Sequence, residues 1–118
     1  MPATMLEKAK DFAVEIMNLC GEIKSEKRAG VVANQLVRSG TSIGANIHES
    51  KYGHGKADFV AKMQIALKEC YETEYWLELL YRTNVIDEGR YDSLQNACGS
   101  IRRMLIASIN TAKANMEK

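Results

Sequence analysis

The chain has 118 residues, of which 46% are hydrophobic, and its 16 basic and 15 acidic side chains give a formal charge of +1. This length predicts a single domain over residues 1–118, and the near balance of charge excludes a protein that coats nucleic acid through an overall basic excess. The sequence has no apolar run near the ~18 residues of a membrane span and no signal-peptide core, so we expect a cytoplasmic protein with no membrane partner.

The first predicted element is an amphipathic helix near the N-terminus. Its apolar side chains recur three or four residues apart and are Leu6, Ala9, Ala13, Ile16, Cys20 and Ile23, with Met5, Phe12 and Leu19 widening the stripe. We expect the helix to fray over residues 23–25. An apolar stripe of this kind needs further helices to cover it.

The second predicted helix, from about Lys27 to Ser50, shows two faces side by side. Its apolar residues are Val32, Leu36, Val37, Gly40, Ile43 and Ile47. Its polar residues recur at spacings of three and four and are Ser39, Ser42, Asn46 and Glu49. Because Gly44 and Ala45 flank the polar face, we predict there a second surface that another backbone approaches closely.

Two glycines within three residues, Gly53 and Gly55, predict a loop before the third helix. That helix, from about Lys56 to Arg82, also has two faces. The core face carries Phe59, Met63, Ala66, Cys70, Leu77 and Leu80, and the neighbouring face carries Asp58, Lys62, Ile65, Glu69, Glu72 and Trp76. Since a lone bundle would leave the second face in water, Ile65 and Trp76 are candidate residues of an oligomer interface.

Asn84 is the predicted stop of the third helix, and Asp87 is the predicted N-cap of the fourth. The apolar seam of the fourth helix consists of Leu94, Cys98, Ile101, Leu105, Ser108 and Ala112. Short links between consecutive long helices favour antiparallel neighbours. The predicted fold is therefore all-α, an antiparallel, up-down-up-down four-helix bundle.

The histidines and cysteines of the sequence give little indication of a metal or cofactor site. The histidines, His48 and His54, do not follow a glutamate by three positions, which excludes the paired Glu-x-x-His elements of a di-iron bundle. The three cysteines, Cys20, Cys70 and Cys98, lie singly on apolar stripes and predict reduced core thiols. We therefore predict no metal and no cofactor.

Catalysis is likewise not predicted, and no residue is assigned a catalytic role. Ser42 and His48 lie at different azimuths of one helix, nearly two turns apart and outside hydrogen-bond reach. Glu49, Glu69 and Glu72 could supply an acid–base pair between the second and third helices, although salt bridges are the simpler interpretation. An enzyme that uses Glu49 and Glu72 is kept as an alternative.

Two local basic clusters are candidates for nucleic-acid binding. Lys51 and Lys56 lie in or beside the predicted loop, and Arg102 and Arg103 lie on a part of the fourth helix, residues 93–112, that carries no acidic side chain. Either cluster could bind phosphates. The alternative is that these are ordinary solvated basic side chains, because acidic residues are frequent nearby on the third helix.

Two segments, RSGTSIGANIHES at 38–50 and KADFVAKMQIALKECYETEYWLELL at 56–80, resemble the bacterial "four helix bundle protein" family. This family includes proteins encoded in intervening sequences of large-subunit ribosomal RNA genes. The resemblance implies an antiparallel four-helix bundle that assembles as a ring-shaped homopentamer. Carried over to this sequence, the family's polar pattern falls on Arg38, Ser39, Ser42, Asn46, Glu49, Lys62, Lys68, Glu69, Glu72 and Thr73.

The function that follows from these observations is a non-enzymatic, ring-forming scaffold or adaptor that associates with RNA or a nucleoprotein. One alternative comes from a similarity of the family to the accessory variability determinant of diversity-generating retroelements, whose basic pentamer binds a reverse transcriptase and nucleic acid. A second alternative is a purely structural oligomer whose polar stripe only specifies assembly. The expected partners are thus other copies of the chain, RNA or DNA, and a protein partner whose identity the sequence does not give.

Overall fold

A computed structural model of the chain describes residues 4–116, all of whose regular secondary structure is α-helical. The helices are α1 (Met5–Ile23), α2 (Gly30–Ser50), α3 (Gly55–Arg82) and α4 (Glu88–Met116). The all-α prediction is confirmed. Both ends of the predicted domain 1–118, residues 1–3 and 117–118, lie outside the described residues.

The ends of the helices follow from local side-chain chemistry. At the start of α1, the Glu7 amide donates to Thr4 Oγ1 at 3.1 Å while the Thr4 amide donates to the Glu7 carboxylate at 3.2 Å, which is a capping box. Asn84 adopts φ = 62° after α3, and Asp87 Oδ1 accepts from the Arg90 amide at 2.7 Å. The stop at Asn84 and the N-cap at Asp87 are therefore confirmed.

The boundaries of α1 and α2 differ slightly between sequence and structure. The first helix ends at Ile23, as the expected fraying there indicates. Residues 24–29 form turns, so α2 begins at Gly30 and not at Lys27. The single apolar residue among these turns is Ala29, which is fully buried and anchors the connection to the core.

Neighbouring helices run in opposite directions, because residues with higher sequence numbers on one helix contact residues with lower sequence numbers on the next. The pairs that show this are Ala9 with Gly44 and Cys20 with Ala33, Lys8 with Ser100 and Glu22 with Arg90, and Cys70 with Cys98 and Tyr81 with Tyr91. Over residues 4–116, α1 contacts α2 and α4 but not α3, so α1 and α3 lie on a diagonal. This is the arrangement of an up-down-up-down bundle.

The core is a continuous apolar layer to which every helix contributes. Its largest fully buried side chains are Phe12, Ile16, Leu19, Leu36, Ile43, Ile47, Met63, Leu77, Leu80, Leu94, Ile101 and Leu105. Each of these stabilises the fold by roughly 1.5–3 kcal/mol relative to leaving it exposed. The predicted seams are thus confirmed in the middle of the bundle, while Phe59, Ser108 and Ala112 at one end are only half-buried.

The close backbone approach predicted beside Gly44 lies inside the subunit, which corrects the prediction of a separate surface there. A Cβ on Gly44 would sit 3.5 Å from the Ala9 Cβ and 3.7 Å from the Ala9 carbonyl carbon. At Gly40 the fit is tighter, because a Cβ would come within 3.0 Å of the Ile16 side chain. Both glycines therefore let α2 pack closely on α1, whereas Ala45 is exposed.

We predict that Gly40→Ala lowers the free energy of unfolding by about 1–2 kcal/mol, because the fully buried Ile16 must move to admit the methyl group. The matched control is Gly21→Ala, where an added Cβ has open space and should raise the free energy of unfolding by up to about 1 kcal/mol. Urea unfolding measures both changes. Equal effects at the two positions would contradict the tight contact of α1 with α2.

Candidate assembly and nucleic-acid surfaces

A buried hydrogen bond joins α2 to α3 at the middle of the bundle. Thr73 Oγ1 donates to Ser39 Oγ at 2.9 Å, and Ser39 Oγ donates to the Leu36 carbonyl at 3.4 Å. Both hydroxyl-bearing residues are fully buried. Ser39 belongs to the predicted polar stripe of α2. Thr73 was named from the sequence only as part of the family's polar pattern. Its spacing from Cys70 and Leu77 nevertheless places it on the core face of α3.

Next to Ser39 in the sequence, Arg38 connects α2 to two carboxylates of α3. Its guanidinium forms ion pairs with Glu69, at 3.3 Å, and with Glu72. The Glu72 carboxylate also accepts from the Trp76 indole N–H at 3.0 Å. Because the Arg38 side chain is about half exposed, solvent screens these pairs, and their main effect is to orient the side chains.

The remaining residues of the predicted polar stripe turn back onto α2 or point to solvent. Ser42 Oγ donates to the Arg38 carbonyl at 2.7 Å, and Asn46 Nδ2 donates to the Ser42 carbonyl at 2.9 Å. Both are half-buried, whereas Glu49 is exposed in the single chain. On α3, Lys62 is half-buried and Lys68 is exposed. The stripe therefore ranges from the fully buried Ser39 to the exposed Glu49 on α2.

Glu49 and Glu72, the two carboxylates of the enzyme alternative, do not lie close together. Glu72 lies next to Thr73, at the level of Ser39, and is engaged by Arg38. Glu49 is ten residues further along α2, which at ~1.5 Å per residue is about 15 Å away along the helix. An acid–base pair requires carboxyl groups close enough to act on one substrate, so this geometry disfavours the alternative.

The two arginines proposed for nucleic-acid binding have different surroundings. Arg102 Nε donates to the Glu74 carboxylate at 2.8 Å, and its guanidinium carbon lies 5.8 Å from the centre of the Tyr71 ring. The hydrogen bond to Glu74 raises the pKa of Arg102. Arg103 is exposed. Both guanidinium groups pass over Gly99, where an added Cβ would lie 3.2–3.4 Å from them.

The lysines proposed for nucleic-acid binding lie at one end of the bundle. Lys51 belongs to the α2–α3 turn and Lys56 to the first turn of α3, and every residue of 51–57 is exposed. Tyr52 in this turn packs against His48, with ring centres 5.3 Å apart. The segment thus presents basic and aromatic side chains together, the combination used to hold single-stranded nucleic acid.

Large apolar side chains are exposed on two separate sides of the bundle. The first side is the α1–α2 groove, which we define by the lining residues Ala9, Lys10, Ala13, Met17, Cys20, Gly21, Lys24, Ala33, Asn34, Val37, Thr41, Gly44, Ala45 and His48. It contains two hollows of about 310 and 210 Å³, and Met17 in its lining is exposed. Periodicity did not single out Met17 or Val14, because both fall outside the core stripe of α1.

The second side is the α3 ridge, which we define as Ile65, Tyr71 and Tyr75. All three side chains are exposed. Trp76, the other residue predicted for an interface, is half-buried and packs against the core of its own subunit. The Tyr75 ring stands edge-on to Trp76, with ring centres 5.0 Å apart. The sequence feature that indicates this exposed side, and that periodicity did not single out, is the pair of tyrosines at positions 71 and 75, one helical turn apart.

The cysteines are buried and free, as predicted. Burial raises the pKa of Cys20 to about 11. A hydrogen bond within the Cys70–Cys98 pair and burial also raise the pKa of Cys98. Residues 4–116 contain no group of three or more histidine, cysteine, aspartate or glutamate side chains arranged to hold a metal ion. None of the described helices is long and apolar enough to cross a membrane.

The fold and its polar α2–α3 seam define a small four-helix-bundle protein. The chain belongs to the 23S rRNA-intervening sequence protein family, whose model matches residues 3–107. This confirms the family to which the two sequence segments pointed. None of the curated proteins matches the chain.

Among solved structures, the chain is similar to a protein of unknown function from the S23 ribosomal protein family of Bacteroides thetaiotaomicron. The two share 46% sequence identity, with a TM-score of 0.87. The match covers 90% of this chain and 98% of the other. Such a similarity supports the same bundle in both proteins and leaves the function to be argued from the surfaces.

We predict that Ser39 and Thr73 act as one unit in stability. Ser39→Ala strands the buried Thr73 hydroxyl and should cost about 1–3 kcal/mol, and Thr73→Val should cost about 1 kcal/mol. The double variant should cost at least about 0.5 kcal/mol less than the sum, because it removes both polar groups. Thr111→Val, on an exposed part of α4, is the control and should change stability by less than about 0.5 kcal/mol. Strict additivity in chemical denaturation would show that the two hydroxyls are not coupled.

Proposed function

We propose that the protein is a non-enzymatic scaffold that assembles as a homopentameric ring and associates with RNA or a nucleoprotein. The observation that carries this proposal is the exposure of apolar side chains on two separate sides of one small bundle. In the α1–α2 groove Met17 is 57% exposed, and on the α3 ridge Tyr75 is 56% exposed. Exposed apolar surfaces of this kind are typical of binding sites.

The position of the two sides favours repeated head-to-tail contacts. The groove belongs to α1 and α2, while the ridge belongs to α3, which lies diagonally across the bundle from α1. A two-fold contact of a surface with itself would cover only one of the two sides. A heterologous contact covers both, and its repetition around an axis gives a closed ring. The pentamer is the closed form that the family resemblance implies.

Association with RNA rests on the family and on the exposed basic residues. The family is defined by proteins of 23S rRNA intervening sequences. At a net charge of +1 per chain, any attraction of phosphates must come from local clusters. Lys51, Lys56 and Arg103 are exposed, whereas Arg102 is engaged by Glu74. Five-fold repetition of Lys51 and Lys56 would place about ten lysines on one rim of a ring.

Light scattering of the purified wild-type chain should give a mass five times that of the monomer at micromolar concentration. The physical reason is the burial of two apolar faces per subunit, which a monomer leaves in water. Trp76→Ala is a second test of the same surface, because loss of the indole removes the ring that supports Tyr75 and should weaken assembly. A monomeric mass for the wild type would contradict the proposed scaffold.

Charge reversal at Lys51 and Lys56 should reduce RNA binding at least about tenfold and make its salt dependence shallower, since fewer counterions are then released. Gel mobility shifts with structured RNA at ~50 mM salt measure this. Lys27→Glu/Arg28→Glu, at the opposite end of the bundle, is the matched control and should bind as the wild type does. The RNA assignment fails if the wild type gives no shift with structured RNA, or if the control loses as much binding.

A further inference from the structure

We propose that the α2–α3 turn binds unpaired nucleotides of RNA, with the Tyr52 ring stacked on a base and lysines on the neighbouring phosphates. This inference rests on the proposed association with RNA and names the part of an RNA molecule that the protein recognises. We call the site the turn site and define it as Lys51, Tyr52, Lys56 and Lys113. Its support comes from the exposed ring, the backbone of the turn that carries it, and the position and charge of the lysines.

Tyr52 presents an aromatic ring to solvent at one end of the bundle. The residue is 72% exposed, more than any other tyrosine, tryptophan or phenylalanine of residues 4–116. Its amide donates to the Glu49 carbonyl at 3.0 Å, which fixes the residue to the last turn of α2. The neighbouring His48 ring is tilted against the Tyr52 ring by 58°. A ring that is anchored through its backbone and exposed over most of its surface is suited to stack on a nucleic-acid base.

The backbone of the turn is held in one conformation by two glycines and one carboxylate. Gly55 has φ = 86°, in the left-handed region that side chains rarely adopt. At Gly53, an added Cβ would collide with the Asp58 carboxylate, which accepts from the His54 amide at 3.2 Å. Because this geometry exists before any ligand arrives, the turn loses little backbone freedom when it binds one.

The antiparallel packing of α3 and α4 brings a third lysine to the end of the bundle where Lys51 and Lys56 lie. Cys98 Sγ on α4 lies 3.6 Å from the Cys70 carbonyl oxygen on α3. Lys56 precedes Cys70 by fourteen residues, and Lys113 follows Cys98 by fifteen. At ~1.5 Å per residue, both lysines lie about 21–22 Å from the cysteine contact in the same direction. Lys113 is therefore at the level of Lys56.

The lysines of the turn site are available to bind phosphates. All three are exposed, and none forms an ion pair within the described part of the chain. The basic members of the ion pairs there are arginines, namely Arg28, Arg38, Arg82, Arg90 and Arg102. Glu49 and Asp58 are the carboxylates nearest to the turn in sequence, and Asp58 is directed at the backbone of the turn. The turn site is therefore locally basic on a nearly neutral chain.

This combination of groups favours an unpaired segment over a duplex. Bases inside a duplex are stacked on each other, so a duplex offers the turn site phosphates but no free base face. An unpaired nucleotide offers both, because its base can stack on an aromatic ring while the adjacent phosphates attract lysines. The turn site therefore selects the loops, bulges and single-stranded ends of a structured RNA.

Fluorescence anisotropy with two labelled RNA probes at ~50 mM salt tests this inference. One probe is a single strand of about 12 nucleotides, and the other is the same strand annealed to its complement. In the full-length chain, Tyr52→Ala should weaken binding of the single strand at least about fivefold. The salt dependence should stay unchanged, because the ring releases no counterions. Binding of the duplex should equal that of the wild type.

Further substitutions at position 52 distinguish stacking from apolar contact. Tyr52→Phe keeps the ring and should bind as the wild type does, whereas Tyr52→Leu keeps an apolar side chain without a ring and should bind as weakly as Tyr52→Ala. The matched control is Val31→Ala, because Val31 is 75% exposed at the opposite end of the bundle. It should bind both probes as the wild type does. Circular dichroism of every variant checks the helical fold.

Photo-cross-linking provides a second measurement in the unchanged protein. Residues 52–56 form one tryptic peptide, because Lys51 precedes it and Lys56 ends it. When 4-thiouridine replaces uridine in the single strand, ultraviolet light should attach the probe to this peptide, as mass spectrometry can show.

The outcomes separate this inference from the proposed function. A wild type that binds neither probe would overturn both. If Tyr52→Ala loses as much binding of the duplex as of the single strand, or loses neither, stacking at the turn site is wrong and association with RNA still stands. Weak single-strand binding by Tyr52→Phe, or cross-links that are confined to other peptides, would lead to the same conclusion.

Discussion

The hydrogen bond between Ser39 and Thr73 is the constraint on which the rest of the structure depends. Both residues are fully buried, and a buried hydroxyl without a partner costs about 1–3 kcal/mol. Ser39 Oγ donates to the Leu36 carbonyl of its own helix, and the register that sets the two side chains opposite each other gives the Thr73 hydroxyl its acceptor. The same register brings Arg38 to Glu69 and Glu72, so polar and apolar contacts select one arrangement of α2 against α3.

This register fixes the rotation of α3 about its own axis, and the rotation decides the outer surfaces. With Thr73 directed to the core, Tyr75 must point away from it, because neighbours two positions apart lie on different sides of a helix. On the other side of the bundle, Gly40 and Gly44 bring α1 and α2 together and leave the shallow groove that Met17 borders. One set of internal contacts therefore produces both exposed apolar sides.

Much of the fold could be predicted from the sequence, because its determinants are local. The capping groups at Asn84 and Asp87 mark helix ends through their own backbone chemistry, and apolar spacing identifies the core faces. The surfaces could not be predicted in the same way. The partner of Arg102 is Glu74, 28 positions away, and only the packing of α3 on α4 brings them together. Spacing alone places Gly44 beside the polar face of α2 and does not say which neighbouring helix comes close, and in the structure that helix is α1.

The central claim is that the two exposed apolar sides are covered by other copies of the chain. Hydroxyl-radical footprinting with mass spectrometry tests it most directly, by comparing oxidation rates of the wild type at dilute and micromolar concentrations. The account predicts that Met17 and Tyr75 become protected together at the higher concentration, while Met116 oxidises at the same rate in both. Unchanged oxidation of Met17 and Tyr75 in a protein of oligomeric mass would contradict it.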